Sequence, residues 1–178
     1  SYNAELTYFS ERSASILSVI ADAPEEKGRK RDKGAALTQN FLVGEHSKLG
    51  MNFYYGGPTD ASRLVYGPSW VLSFGEKLFL NSELFWQSKK VKDTGAVQNG
   101  YATFNRFHYQ ISKGLTPFIQ FDRSFLDSSN SAAQVDSYGS GLQWLPYSHF
   151  EFTGFYGKEQ SFRRDPTDFA WLMIHLYL

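Results

Sequence analysis

The chain has 178 residues, no net charge and no cysteine, and 17% of its residues are aromatic. This length fits one domain, the balanced charge gives no reason to expect a nucleic-acid partner, and the missing cysteines exclude a disulfide framework and a thiolate zinc site. No apolar run approaches the ~20 residues that a transmembrane helix needs.

Apolar and polar residues alternate with a period of two along most of the chain, and helical periodicity is nearly absent. Such alternation predicts β-strands, because successive side chains of a strand point to opposite faces. We predict eleven strands, at residues 2–9, 14–21, 35–43, 49–55, 63–74, 78–86, 100–112, 115–125, 138–146, 150–156 and 168–178.

The connections between these strands alternate between short and long. Tight turns are expected near residues 10–13, 44–48, 75–77, 113–114 and 147–149, and polar loops at 22–33, 88–99, 127–134 and 161–167. The connection at 56–61 contains a Gly-Pro turn. This pattern is typical of an up-and-down meander, with tight turns on one side of a membrane and longer loops on the other.

In the last predicted strand, residues 168–178, the aliphatic side chains are separated most clearly from the other side chains. Ala170, Leu172, Ile174, Leu176 and Leu178 share one face of the predicted strand, and the opposite face is mixed and aromatic. This tail resembles the closing strand of Gram-negative outer-membrane β-barrels, although the usual terminal Phe or Trp is replaced by Leu178.

The resemblance implies an all-β, antiparallel, up-and-down transmembrane barrel of about 11–12 strands in the cell outer membrane. Residues 1–178 would form one barrel domain, or the C-terminal part of a larger barrel. Outer-membrane lipid and lipopolysaccharide would be its partners. No cofactor is expected, because the histidines lack metal-ligand spacing.

Residues 142–151 and the tail are also similar to the ends of barrels that accompany multihaem cytochromes. This second resemblance implies a structural barrel that sheathes or docks such a partner. The chain has no Cys-x-x-Cys-His, so it could not attach c-type haem itself.

Charged and polar residues recur on the face opposite the apolar one. We expect this face to line a lumen, and the candidate pore-lining residues are Arg63, Glu83, Arg106, His108, Gln120, Asp122 and Glu151. If residues 113–115 form a three-residue loop, Arg106 lies directly opposite Asp122. That pair would set ion selectivity, or would merely satisfy two inward charges.

The first functional hypothesis is a porin-like channel for ions or small solutes, and the second is the sheathing barrel. A third is a barrel enzyme acting on lipid or peptide, for which His108, Asp122 and Ser124 could form a triad, without a Gly-x-Ser-x-Gly motif. A soluble lipocalin-like barrel is the alternative fold, and it would require polar outward residues. The basic run 27–33 could contact lipopolysaccharide or be a solvated loop.

The strand count also predicts an open sheet. An odd number of antiparallel strands leaves the first and last strands parallel, whereas bacterial single-chain barrels have even strand numbers. Lipid does not tolerate an unpaired edge. We therefore expect at least one further strand, supplied by an upstream segment or by another chain.

Overall fold

The computed structural model describes residues 2–21 and 33–176, and it confirms an all-β, antiparallel, up-and-down chain. Strand order in the sheet follows the sequence. The eleven strands are β1 (Tyr2–Phe9), β2 (Ser13–Ala21), β3 (Lys33–Val43), β4 (Ser47–Gly57), β5 (Ala61–Phe74), β6 (Leu78–Val91), β7 (Val97–Tyr109), β8 (Leu115–Phe125), β9 (Gln134–Tyr147), β10 (Phe150–Ser161) and β11 (Thr167–Leu176).

Several strands extend beyond their predicted ends. The connection predicted at 88–99 shrinks to residues 92–96, because β6 and β7 continue pairing as far as Lys90 and Val97. Backbone hydrogen bonds do not need apolar side chains, so the pairing of β6 with β7 extends beyond the residues in which apolar and polar side chains alternate. In the basic run, residues 27–32 lie outside the described residues, as do residues 177–178 of the predicted last strand.

Pairing keeps the alternation in phase across the whole sheet. We call the side that carries Leu6, Leu37, Phe53, Leu80 and Leu172 the apolar face. The polar face is the opposite side, and it carries Glu5, Asn52, Glu83, Arg106 and Glu151. Directly paired residues of neighbouring strands share a face, as in Leu17 between Leu6 and Leu37.

The two faces differ sharply in exposure. On β8, Phe118 lies on the polar face and is 3% exposed. Its neighbour Ile119 lies on the apolar face and is 62% exposed. In the described part of the chain no second layer covers the polar face, since a single 3₁₀ turn, Ser131–Ala133, is the only helix. Polar-face side chains such as Phe118, His108 and Phe155 are therefore buried mainly by other side chains of the same sheet.

Short connections gather at one end of the sheet, at residues 10–12, 44–46, 75–77, 110–114 and 148–149. Gly44, Gly75 and Gly114 adopt φ angles of 69°, 74° and 79° there, a region that L side chains rarely enter. At the opposite end, which we call the long-loop end, the β8–β9 connection is the longest in the described part of the chain; the β4–β5 connection, residues 58–60, is short.

Two of the three prolines within strands, Pro68 and Pro117, fall where one of their two ladders is interrupted. Pairing between β5 and β6 skips Gly67 and Pro68 and resumes at Ser69. Pro117 lies one residue beyond the last β7–β8 pair, which joins His108 to Phe118. A proline lacks the N–H that a central ladder needs, so these gaps explain how both are accommodated.

The register predicted between β7 and β8 is wrong by two residues. Arg106 lies opposite Gln120, and Asp122 lies opposite Phe104. Residues 113–114 form a two-residue turn, closed by the Ser112–Leu115 bridge. Three residues then lie between His108 and Ser112, but two lie between Leu115 and Phe118, so the β7 side carries one extra residue. Such a bulge shifts the register.

In the described residues, β1 pairs only with β2 and β11 only with β10. Eleven antiparallel strands place β1 and β11 in the same direction, so antiparallel closure needs a further strand between them. The expectation of such a strand stays a prediction.

The β7–β8 register can be tested by engineered disulfides, because the chain has no native cysteine. Asn105→Cys with Phe121→Cys should oxidise readily, since these residues are directly opposite. Asn105→Cys with Arg123→Cys, the pairing that the sequence predicted, should not, because diagonal neighbours lie roughly 7–8 Å apart. Gel mobility before and after reduction reports both, and the reverse outcome would restore the predicted register.

Candidate functional site

All seven candidate residues lie on the polar face, but they do not form one cluster. Arg63 lies near the long-loop end of β5, opposite Gly56 and Lys89. Glu83 lies between Ser69 and Phe104 on the neighbouring strands. The remaining five belong to two hydrogen-bonded groups and to a row of aromatic rings between them.

The first group, the Arg106 network, connects β7, β8 and β9. Arg106 donates from Nε and Nη2 to Gln120 Oε1, at 2.9 and 2.6 Å. Gln120 Nε2 donates to Asp122 Oδ2, which also accepts from Ser137 Oγ at 3.4 Å. The predicted Arg106–Asp122 contact is therefore relayed by Gln120, which compensates the two charges without a direct ion pair.

The second group, the Glu151 cluster, lies nearer the short-turn end. Glu151 is 8% exposed, and its Oε1 accepts from Gln143 Nε2 at 2.8 Å and from Thr153 Oγ1 at 3.0 Å. Its Oε2 lies 3.5 Å from His175 Nδ1. A buried carboxylate is costly unless hydrogen bonds or a cation compensate it, and this cluster supplies both when His175 is protonated.

Between these groups, rings line up across six strands of the polar face. We call this the aromatic row. Its members are directly paired from strand to strand, and they are Phe79, His108, Phe118, Gly141, Phe155 and Trp171. His108 stacks on Phe79 with ring centroids 4.4 Å apart, and Phe118 stacks on Phe155 at 6.0 Å. Phe155 also stacks on Trp171 at 5.7 Å.

Glycines of β9 and β10 make room for the row. Phe118 and Phe155 meet across Gly141, where a Cβ atom would clash with Phe118 Cζ. A Cβ at Gly139 would lie 2.7 Å from Phe155 Cζ. The rings therefore fill the space that these positions leave open.

Arg106 joins the row to the network. Its guanidinium lies 4.3 Å from the centroid of the Phe118 ring and 5.2 Å from that of Phe104. A guanidinium over an aromatic face is attracted by the negative face of the ring, by ~0.5–2 kcal/mol. Its stacking and its hydrogen bonds to Gln120 hold the cation in one orientation.

The suggested triad is not assembled. Asp122 lies opposite Phe104, four residues from His108, which places it about 13 Å away at ~3.3 Å per residue. His108 is 6% exposed between Phe79 and Phe118, and its Nδ1 has no hydrogen-bond partner in the described part of the chain.

Residues 2–21 and 33–176 contain no group of three His, Asp or Glu side chains placed to hold a metal ion. No helix in those residues is long and apolar enough to cross a membrane. Comparison of the chain with protein-family models, with curated proteins and with solved structures finds no match.

Sequence reasoning placed the candidates on one face but missed the aromatic row. The row depends on which residues of six strands are opposite one another, and period-two alternation does not contain that information. The sequence does contain one indication of the aromatic row: glycines at positions 139, 141 and 157 lie on the polar side of β9 and β10. Glycine within a strand often marks a site where another group approaches closely.

Gly141→Ala should destabilise the protein by about 1–3 kcal/mol, the usual cost of overpacking a filled core. Gly154→Ala is the matched control, because a Cβ there meets only Leu172 Cδ1, at 3.9 Å. Denaturant unfolding in detergent or lipid measures both. A Cβ at position 141 would also clash with the Gly154 carbonyl oxygen, so the share of the rings is measured by Phe118→Leu, which should recover part of the lost stability of Gly141→Ala. No recovery would show that the rings do not pack across Gly141.

Proposed function

We propose that this chain forms the wall of an outer-membrane β-barrel, and that its polar face lines a porin-like passage for ions or small solutes. The apolar face would contact lipid. The proposal accounts for a single sheet that exposes large apolar side chains on one side and gathers its charges on the other.

The distribution of charged residues on the apolar face is the observation that supports contact with a membrane. By register, the charged residues on the apolar face of the described strands all lie near the long-loop end, and they are Lys33, Lys90, Arg123, Asp136, Lys158 and Asp168. The remainder of the face is free of charge across all eleven strands. Monomeric soluble proteins rarely expose apolar patches above a few hundred Å².

The Arg106 network and the Glu151 cluster support the passage. A lipid-facing position would not retain an arginine, two carboxylates and a histidine, whereas a water-filled lumen accepts them. The Arg106 network contains one cation and one carboxylate, and the Glu151 cluster adds a further carboxylate nearer the short-turn end. A solute would therefore meet a mixed-charge lining.

The aromatic row favours a second candidate, a barrel wall that holds a partner protein. Packed rings give a stiff, filled surface on the β6–β11 side, which leaves less room for solute than small polar side chains would. Conductance distinguishes the two functions. A chain that inserts into a bilayer but passes no ions would favour the second.

Lipid contact predicts a large difference between two adjacent residues of β2. Leu17→Arg should cost about 2–4 kcal/mol in a bilayer, because Leu17 lies on the apolar face between Leu6 and Leu37. Ser18→Arg should cost little, because Ser18 lies on the polar face and donates to Glu5 Oε2 at 3.2 Å. Unfolding from lipid vesicles measures both, and equal costs would contradict the assignment of faces.

A conducting lumen predicts opposite effects from the two charges of the Arg106 network. Arg106→Gln removes a cation and should shift selectivity toward cations, whereas Asp122→Asn should shift it toward anions. Reversal potentials in a planar bilayer under a salt gradient measure the shift. Lys113→Gln, in the exposed short-turn end, is the control and should change little. Shifts of the same sign would show that these residues do not line the passage.

A further inference from the structure

The distribution of charge on the apolar face points to a second site, at the long-loop end of β8–β11. Two ion pairs lie there. Arg123 donates to Asp136 from Nε at 2.7 Å and from Nη2 at 3.0 Å, and Lys158 Nζ lies 3.7 Å from Asp168 Oδ1. Each carboxylate on this part of the face is therefore compensated by a cation of a neighbouring strand.

A shallow cavity of about 200 Å³ opens beside the first ion pair, and we call it the rim pocket. It is lined by Gln134, Asp136, Gln160, Ser161, Phe162 and Arg163. Gln160 is directly opposite Asp136, so the pocket lies on the apolar side of the sheet. Gln134 Nε2 donates to Asp136 Oδ2 at 3.0 Å, which leaves this carboxylate with three donors.

The β10–β11 loop adds two cations, Arg163 and Arg164, which Asp165 follows in the sequence. Arg163 and Arg164 have no ion-pair partner among the described residues. Arg163 has φ 57°, uncommon for a residue other than glycine, and its guanidinium lies 4.9 Å from the Phe162 ring centroid. Arg163 is therefore the cation that a ligand in the pocket would meet, because the charge of Asp136, which forms one wall, is already compensated by Arg123.

The chemistry of this lining fits a phosphate. Guanidinium groups bind phosphate oxygens through paired N–H donors, and amide and hydroxyl side chains such as Gln160 and Ser161 supply further donors. The volume suits a phosphate with a few waters, since one water occupies ~30 Å³ in the liquid. Below the pocket the face becomes apolar at Tyr138 and Leu142, where an acyl chain could lie.

We propose that the rim pocket binds the phosphate group of a membrane lipid from the leaflet at the long-loop end. This inference rests on the proposed function, because only a membrane-spanning sheet would present the pocket to lipid headgroups. The apolar face below the pocket makes the lipid, rather than a free phosphate, the expected ligand.

The test compares two lipids that differ only in the phosphate. Native mass spectrometry of the detergent-purified protein would measure binding of phosphatidic acid and of diacylglycerol with the same acyl chains. We expect at least a tenfold preference for phosphatidic acid. The preference should fall severalfold or more in the Arg163→Gln/Arg164→Gln variant and stay unchanged in Lys77→Gln/Lys113→Gln, which removes equal charge at the opposite end.

Inorganic phosphate at equal concentration should compete weakly, and strong competition would identify a free-phosphate site instead. Equal binding of the two lipids, or equal losses in the two double variants, would overturn the proposal. Flotation of the wild-type protein with vesicles separates this failure from that of the proposed function. A protein that floats without phosphate preference keeps its membrane role and loses only the rim pocket.

Discussion

The structure depends on one constraint, that eleven strands keep their alternation in phase. A slip of one residue between neighbouring strands would turn every later side chain to the opposite face. Leu17 would then leave its place between Leu6 and Leu37 and meet polar neighbours. Short turns with left-handed glycines, such as Gly44 and Gly75, help to fix the pairing, since turn type and loop length set the register of a hairpin.

The register of the strands also places two polar groups of the apolar face beside hydrogen-bond partners. Gln39 lies on this face, directly opposite Ser15, which donates to its Oε1. Asn105 Nδ2 donates to the carbonyl of Phe121 at 3.3 Å. In an apolar medium an unpaired polar group costs several kcal/mol, so local pairing is what makes these positions acceptable. Ser82, Thr103 and Ser140 also lie in the middle of strands on this face, and Ser82 Oγ is buried with no hydrogen-bond partner in the described part of the chain. The charged side chains of this face lie near the long-loop end.

The sequence was sufficient for the strands, their order and most of their faces, because these follow from local alternation and from turn residues. The two faces of residues 14–21 could not be distinguished, since both mix apolar and small side chains, and they follow from pairing with β1 and β3. Leu172 and Ile174 share one face and Glu83, Arg106, Asp122 and Glu151 the other, as predicted. The β7–β8 register was not predictable in the same way. One extra residue between His108 and Ser112 changes the register, and the local alternation of side chains does not indicate a bulge there.

Features that depend on several strands at once were harder still to predict from the sequence. The aromatic row needs the registers of β6 through β11 together, so Phe79 and Trp171 could not be linked from sequence. Its consequence is an uneven polar face. The β6–β11 part is filled by rings and two polar groups, whereas β3 and β4 present smaller residues such as Ala36, Thr38 and Gly50.

Solvent accessibility along one strand tests most directly whether the sheet spans a membrane. Single cysteines at positions 35–42 of β3, each carrying a nitroxide spin label in lipid vesicles, would report collisions with lipid-soluble oxygen and with a water-soluble nickel complex. Oxygen accessibility should peak at the odd positions and nickel accessibility at the even ones, with a period of two and opposite phase. Nickel accessibility equally high at both sets would show that the apolar face meets water, and would contradict the membrane-spanning sheet.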